Sequence, residues 1–175
     1  MKKSLLLLLG ILMLNFTFAQ NSGVTNNTNS PYVKLKSIDM SDCKWTNGFW
    51  AEKFKSAVET MVPYMGEVLC GDVGHGLNNF KIAAGLKTGV HKGFAWHDGD
   101  FYKYMEACSY VYAQTGDKKL LNELDGYIDI ISKAQEKDGY IHTQIEIDPK
   151  IDRFENRKYH EMYNYGHLFT SACIH

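Results

Sequence analysis

Apolar side chains recur at every third or fourth position through most of this 175-residue chain, and glycines interrupt the pattern at short intervals. This period is that of an amphipathic α-helix, whose apolar positions fall on one face. The clearest segment follows Asp117, and its apolar positions are Leu120, Leu121, Leu124, Ile128, Ile131 and Ala134. Helices joined by short turns pack as antiparallel hairpins, so the pattern predicts an all-α fold. It leaves open a solenoid of hairpins or an α/α barrel, although the lack of a fixed repeat weighs against the former.

The same period predicts helices over residues 49–69, 78–84 and 101–115, and again from Tyr159 onward. Pro63 lies inside the first of these segments. Because proline has no backbone N–H, we expect a kink or a break there.

Residues typical of helix ends delimit two of these helices. Asp98 or Asp100 is expected to cap the start of the helix over 101–115. Gly116 is expected to end it in a left-handed conformation, and Asp117 to cap the helix that follows.

Residues 140–147 depart from the helical pattern. They contain β-branched side chains with partial alternation, and Pro149 follows them. This run is the one strand-like segment in the sequence.

The first 19 residues have the composition of a secretory signal peptide. Two lysines precede an apolar run over residues 5–18, and small residues precede a cleavage point after Ala19. A membrane anchor is the weaker alternative, because a bilayer-spanning helix needs roughly 20 apolar residues. The polar residues 20–32 are expected to form a flexible linker, and 33–175 the folded part. These features predict secretion, or export to the periplasm of a Gram-negative bacterium.

The charge of the chain is balanced, with 19 basic and 20 acidic residues mixed along it. This balance gives no electrostatic basis for binding nucleic acid or a membrane surface. We therefore expect neither as a partner once the signal peptide is removed.

The spacing of the four cysteines does not match a structural zinc site, since no CxxC or Cys–His pairing occurs. Cys108 and Cys173 fall on apolar helical faces. Both are expected to be buried free thiols.

The last predicted helix carries a polar face with helical spacing, formed by His160, Asn164, His167 and Ser171. Its opposite face is apolar and contains Met162, Tyr165, Phe169 and Cys173. Histidine, asparagine and serine are short or rigid hydrogen-bonding groups suited to sugar hydroxyls, whereas a solvated face usually carries Lys and Glu. The alternative is a pair of core histidines bonded to nearby backbone. The two histidines are seven residues apart, which is not the spacing of a helical two-histidine metal site.

Two other segments carry candidate binding groups. Asp98 and Asp100 follow Trp96, and a tryptophan beside two carboxylates suits carbohydrate as well as helix capping. His142 follows an Asp-Gly turn, where an extended segment projects side chains. Glycoside hydrolysis needs paired carboxyl groups, and the sequence does not show which of those available would face each other.

Five motifs occur in order: Asn47–Trp50, Asn79–Phe80, and residues 98–107, 134–141 and 160–168. Together they resemble glycoside hydrolase family 127, the β-L-arabinofuranosidase-like family. The resemblance covers residues 33–175. It implies an (α/α)6 barrel that acts on arabinofuranosides or related plant cell-wall sugars.

The resemblance also implies a retaining mechanism in which a zinc-bound cysteine is the nucleophile and a glutamate is the acid/base. Zinc lowers the pKa of a thiol and fixes its sulfur. The cysteines of this chain stand in no matching motif, so no nucleophile and no metal ligand is assigned. What the resemblance implies here is a substrate-binding wall of His142, His160, Glu161 and His167, with Asp98 and Asp100.

The chain supplies fewer helices than such a barrel contains. We therefore expect an N-terminal fragment of an incomplete barrel, unstable and inactive by itself. One alternative is another α/α-barrel sugar hydrolase of the uronyl hydrolase type. A second is a non-catalytic periplasmic sugar-binding module.

Overall fold

The computed structural model describes residues 25–27 and 29–175. The predicted signal peptide, residues 1–19, lies outside the described residues, as does part of the predicted linker. The chain divides into two compact units at Asp42 and Cys43.

Among its described residues, the first unit contains one short element, a 3₁₀ turn over Met40–Asp42. Asp39 precedes this turn, and its carboxylate accepts a hydrogen bond from the Ser41 backbone N–H at 2.8 Å. That bond satisfies one of the N–H groups that every helix start leaves unpaired.

The second unit contains seven helices among its described residues: α1 Gly48–Ser56, α2 Val62–Cys70, α3 Gly76–Ala83, α4 His97–Thr115, α5 Lys118–Ala134, α6 Thr143–Ile147 and α7 Glu161–Ile174. A 3₁₀ turn over Arg157–Tyr159 precedes α7. Every regular element of the described residues is helical, which confirms the predicted all-α class. In the part of the chain that the structure describes, no helix has the length and hydrophobicity needed to cross a bilayer.

A π-helical turn over Ala57–Met61 joins α1 to α2. In this turn the Val62 N–H donates to the Ala57 carbonyl, five residues back. Pro63 follows directly and has no N–H to continue the regular ladder. The predicted interruption at Pro63 is therefore confirmed, and it takes the form of a π turn.

The start of α4 differs from the prediction. The helix begins at His97, its N-cap is Trp96, and no side chain caps it. The expectation that Asp98 or Asp100 would cap this helix is wrong, because both lie inside its first turn. The bonds of Asp98 go to a distant segment instead.

The connection between α4 and α5 is as predicted. Gly116 has a φ of 71° and ends α4 in the left-handed region. The Asp117 carboxylate accepts from the backbone N–H groups of Lys119 and Leu120, at 2.9 and 3.4 Å. This two-residue connection makes α4 and α5 neighbouring antiparallel helices.

The predicted strand over 140–147 is wrong. Residues 143–147 form α6, a single helical turn, and the residues before it are extended without pairing to another strand. The Asp98 carboxylate receives the Thr143 backbone N–H, which satisfies one free donor of the helix start. Tertiary contact thus overrides the β propensity of the segment.

Helix α4 is central to the second unit, since it packs against α2, α3, α5 and α7. Its contact with α7 is the most extensive. The core cluster of buried residues is Leu69, Leu77, Phe80, Phe101, Tyr102, Tyr104, Met105, Cys108, Leu124, Ile131, Ala134 and Ile141. Burial of these side chains provides the main stabilisation of the fold.

Helix α7 buries its polar side. Asn164 and Ser171 are buried, whereas Met162 and Phe169 are 71% and 63% exposed. The expected buried thiol is confirmed for Cys108 and wrong for Cys173, which lies on the exposed side of α7.

Candidate functional site

Five rings meet where the segment before α4 approaches α7. Phe94 and Trp96 stack in parallel with centroids 4.5 Å apart. The His160 ring lies edge-on to Trp96 at 5.2 Å and to Tyr163 at 5.9 Å. His167 continues the series at 4.7 Å from Tyr163. We call these five side chains the ring cluster.

The ring cluster is open to solvent and has a polar rim. Phe94 and Trp96 are 58% and 37% exposed. The Lys103 ammonium donates to the Tyr163 hydroxyl at 2.5 Å and to the Asp100 carboxylate at 3.0 Å. Exposed aromatic faces next to charged and imidazole groups can stack on the C–H face of a ligand and bond its hydroxyls.

Asn164 on α7 sets the position of the segment that carries Trp96. Its amide donates to the Ala95 carbonyl at 2.9 Å and accepts from the Gly99 N–H at 3.1 Å. A Cβ on Gly99 would lie 2.6 Å from the Asn164 side-chain oxygen, so glycine permits this approach. Asn164, a member of the predicted polar face, therefore joins α7 to the segment at the start of α4.

Asp98 is 1% exposed and bonds to a distant part of the chain. Its carboxylate accepts from the Thr143 backbone N–H at 2.8 Å and from the Thr143 hydroxyl at 2.6 Å. Burial raises the pKa of Asp98, while the nearby His142 and the two bonds from Thr143 oppose that shift. Asp98, which the sequence predicted to bind substrate, thus links α4 to α6 by hydrogen bonds.

His142 is fully buried. Its Nε2 lies 2.7 Å from the Tyr159 carbonyl oxygen, and its backbone N–H donates to the Glu146 carboxylate at 2.6 Å. The ring Nδ1 is also buried and has no hydrogen-bond partner among the described residues.

Two titratable groups near His142 have shifted pKa values. Burial raises the pKa of Glu146 to about 7, and this side chain borders a cavity of about 600 Å³ formed with the loop over 85–89. Burial, followed by the charges of His142 and two other histidines, lowers the pKa of His91 to about 4. Sequence analysis missed Glu146, although its position one turn after His142 was a signal.

Glu161 is also buried and holds a loop. Its carboxylate accepts from the Tyr140 hydroxyl and from the Phe154 backbone N–H, the latter at 2.8 and 3.0 Å. Phe154 has a φ of 59°, a left-handed conformation that a non-glycine residue adopts only when its surroundings hold it.

The six predicted substrate-binding residues therefore divide into two groups. Those that are half-buried, in or beside the ring cluster, are Asp100, His160 and His167. Those buried in the protein with structural hydrogen bonds are Asp98, His142 and Glu161. The prediction omitted Phe94, Lys103 and Tyr163, although Tyr163 lies one helical turn from both His160 and His167.

The described residues do not form a metal centre. No three His, Cys, Asp or Glu side chains of these residues come together in a way that could hold a metal ion. Cys70 and Cys108 lie on α2 and α4, and Cys43 and Cys173 are exposed. The zinc–thiolate chemistry implied by the resemblance does not fit these residues, so no step is assigned to it.

Comparison with known proteins places this geometry in one family. Residues 42–175 match the profile described as "Beta-L-arabinofuranosidase, GH127 catalytic domain". A non-reducing end β-L-arabinofuranosidase of Bifidobacterium longum subsp. longum is 30% identical across 74% of this chain. The crystal structure of a GH127 β-L-arabinofuranosidase from Geobacillus stearothermophilus T6 has a TM-score of 0.71 and 31% identity over 74% of this chain. A second GH127 β-arabinofuranosidase structure has a TM-score of 0.69 and 31% identity over 78%.

These relatives are much longer than the present sequence. The chain spans 23% of the Bifidobacterium enzyme and 21% of the Geobacillus structure. Its helices accordingly correspond to part of the helical barrel expected from the resemblance. Since the family profile matches most of the sequence and the two solved structures share its fold, the chain belongs to glycoside hydrolase family 127.

Proposed function

We propose that the ring cluster binds the terminal sugar of an arabinofuranoside, within a family 127 enzyme that releases β-L-arabinofuranose from non-reducing ends. One observation carries this proposal: exposed aromatic rings and half-buried imidazole rings form one cluster, which the Lys103–Asp100 pair contacts through Tyr163. Sugars present an apolar C–H face and polar hydroxyls to such a surface. Family membership and the names of the relatives supply the reaction.

The contribution of this chain to that reaction is binding. A glycosidase of the usual type needs two carboxyl groups that face the scissile bond. Here Asp98 and Glu161 are buried, and their oxygens already accept bonds from Thr143, Phe154 and Tyr140. We therefore assign neither a nucleophile nor an acid to the described residues.

The remaining parts of the proposal concern the whole enzyme. We propose a retaining mechanism with a zinc-bound cysteine, plant cell-wall glycans as substrates, and export to the periplasm or beyond. The family resemblance supports the first two, and the composition of residues 1–19 supports the third. No zinc ligand is assigned to this chain.

The binding part is tested by titrating the chain with methyl β-L-arabinofuranoside while chemical shifts are followed by NMR. We expect saturable shifts in the ring cluster, which Trp96→Leu and His160→Ala abolish. The controls are Trp45→Leu and His175→Ala, because these residues have the same side chains, are exposed and lie outside the ring cluster. Equal loss in the controls would contradict the proposal, as would the absence of shifts in a parent chain whose dispersed NMR spectrum shows it to be folded.

The export part is tested by expression in a Gram-negative host. We expect the chain in the periplasmic fraction, with Gln20 as its N-terminal residue by mass spectrometry. Leu8→Arg, which places a charge in the apolar run, should retain the chain in the cytoplasm with Met1 or Lys2 first. Cytoplasmic retention of the parent chain would count against export.

A further inference from the structure

The turn that presents His160 has a left-handed backbone conformation. His160 has a φ of 59°, and it ends the 3₁₀ turn over Arg157–Tyr159 and begins α7. Left-handed φ values are uncommon for residues other than glycine, and histidine is, with asparagine and aspartate, one of the residue types that adopt them more often. A contact to the backbone beside His160 would therefore help to hold this turn.

The side chain of His142 provides such a contact. Its Nε2 lies 2.7 Å from the carbonyl oxygen of Tyr159, the residue directly before His160. A carbonyl oxygen can only accept, so Nε2 carries the hydrogen. Since His142 is fully buried, no water competes for this bond.

The position of His142 is itself fixed on both sides. The Glu146 carboxylate receives its backbone N–H at 2.6 Å. Thr143, the next residue, donates its N–H and its hydroxyl to Asp98 at the start of α4. The segments around Asp98 and Tyr159, which are distant in sequence, are thus joined through Thr143 and the His142 ring.

The same arrangement connects both sides of the ring cluster. Trp96 lies two residues before Asp98, and its ring meets the edge of His160 at 5.2 Å. Asp98 and the His142 bond to Tyr159 therefore link the backbones that carry these two rings. A shift of the turn before α7 would move His160 away from Trp96.

We propose that His142 is a positioning residue for His160: its buried Nε2–H holds the left-handed turn that sets the His160 ring against Trp96. It acts through the Tyr159 carbonyl and does not touch sugar. The functional consequence rests on the proposed arabinofuranoside site, whereas the geometric claim stands without it.

Two variants distinguish the effect of the His142–Tyr159 hydrogen bond from the effect of the volume that the His142 side chain fills. His142→Gln places an amide N–H where Nε2 was, and His142→Leu retains an apolar body without a donor. The first measurement is the nuclear Overhauser effect between the rings of His160 and Trp96. The second is the affinity for methyl β-L-arabinofuranoside.

We expect His142→Leu to lose the ring-to-ring effect and to bind the arabinofuranoside about tenfold more weakly, because a misplaced binding group forfeits its interaction. His142→Gln should retain the effect and bind within about threefold of the parent. If the two variants behave alike in the ring-to-ring effect, or in affinity when the parent chain binds the sugar, the hydrogen bond is not what positions His160. The proposal is then wrong.

The parent chain provides a test that does not depend on folding of the variants. Nitrogen-15 shifts of labelled histidine distinguish the tautomers, and we expect His142 with Nε2 protonated and Nδ1 bare. A hydrogen on Nδ1 alone would overturn the proposal. If the parent chain binds no arabinofuranoside, the proposed function fails, and the tautomer and the ring-to-ring effect still decide whether His142 positions His160.

Discussion

Asp98 and Asp100 are two residues apart in the same helical turn, yet their surroundings differ sharply. Asp98 is 1% exposed and accepts two bonds from Thr143, whereas Asp100 forms a half-exposed ion pair with Lys103. When a buried acceptor is removed, its donor is left without a hydrogen-bond partner, and this costs free energy. When one member of an exposed ion pair is removed, water solvates the other. The two positions should therefore respond very differently to the same substitution.

We expect Asp98→Asn to lower the free energy of unfolding by about 1–3 kcal/mol, since one of two buried acceptor oxygens becomes a donor. Asp100→Asn should change it by no more than about 0.5 kcal/mol. Urea denaturation of both variants against the parent chain measures the difference. Equal effects would show that the Asp98–Thr143 bonds do not stabilise the fold.

Glu146 makes the stability depend on pH. Burial raises the pKa of Glu146 from its ordinary 4.5 to about 7, so the folded chain holds a proton that the unfolded chain has released. Because the folded state binds more protons in this window, stability falls as the pH rises from about 4.5 to about 7. His91 has the opposite effect between about 4 and 6.5, because its pKa is lowered.

The comparison with Glu146→Gln isolates that contribution, since His91 titrates in both proteins. We expect the parent to lose stability relative to Glu146→Gln as the pH rises from about 4.5 to about 7, and the difference to level off above that. Thermal melts at closely spaced pH values provide the measurement. A difference that does not vary with pH would mean that Glu146 titrates normally.

At the scale of helices, the contact between α4 and α7 depends on glycine. Gly99 lies in the first turn of α4, where a Cβ would meet the Asn164 side-chain oxygen at 2.6 Å and the Tyr163 ring at 3.2 Å. Gly126 lies within α5, where a Cβ would meet nothing within 4 Å. The same substitution therefore tests close packing at one site and helix propensity at the other.

We expect Gly99→Ala to destabilise the fold by about 1–3 kcal/mol, because α7 must move or Asn164 must give up its bonds. Gly126→Ala should be neutral or stabilising by up to about 1 kcal/mol. The control shows what alanine does in a helix without a clash. Should both variants gain stability, the contact between α4 and α7 is looser than described.

At the scale of the whole second unit, two apolar surfaces are uncovered among the described residues. One is the outer side of α7, with Met162 and Phe169. The other is a cavity of about 420 Å³ that Met61 and Met65 form with Tyr104. Large exposed apolar patches favour association.

We expect the chain to self-associate as its concentration rises, and Phe169→Gln to weaken that association. Thr170→Gln is the matched control, since Thr170 is an exposed neighbour on the same helix. Sedimentation velocity over a range of concentrations measures both. Monomeric behaviour of the parent chain throughout would contradict the prediction.

Local signals were sufficient for most of the helices. The cap at Asp117 and the left-handed Gly116 depend on bonds and angles within a few residues, and both predictions are confirmed. The strand predicted over 140–147 failed because its outcome depended on Asp98, 45 residues before Thr143. The capping role expected of Asp98 failed for the same reason.

The candidate site was predictable in its location but not in its membership. Helical spacing placed His160 and His167 on one face of a single predicted helix. It did not show that His142 and Glu161 would be buried, because a polar residue type suits a ligand or a structural bond equally. Only the folded neighbours of each side chain distinguish the two.

The sequence by itself determined the all-α class, the main helices and the family, since these follow from periodicity, local end signals and ordered motifs. The tertiary structure alone decided which polar groups reach solvent. Asp98, His142 and Glu161 bond to backbone groups of other segments, whereas Phe94, Trp96 and Tyr163 of the ring cluster remain exposed. The physical reason is that burial and pairing are properties of segments brought together by folding, and no single segment contains them.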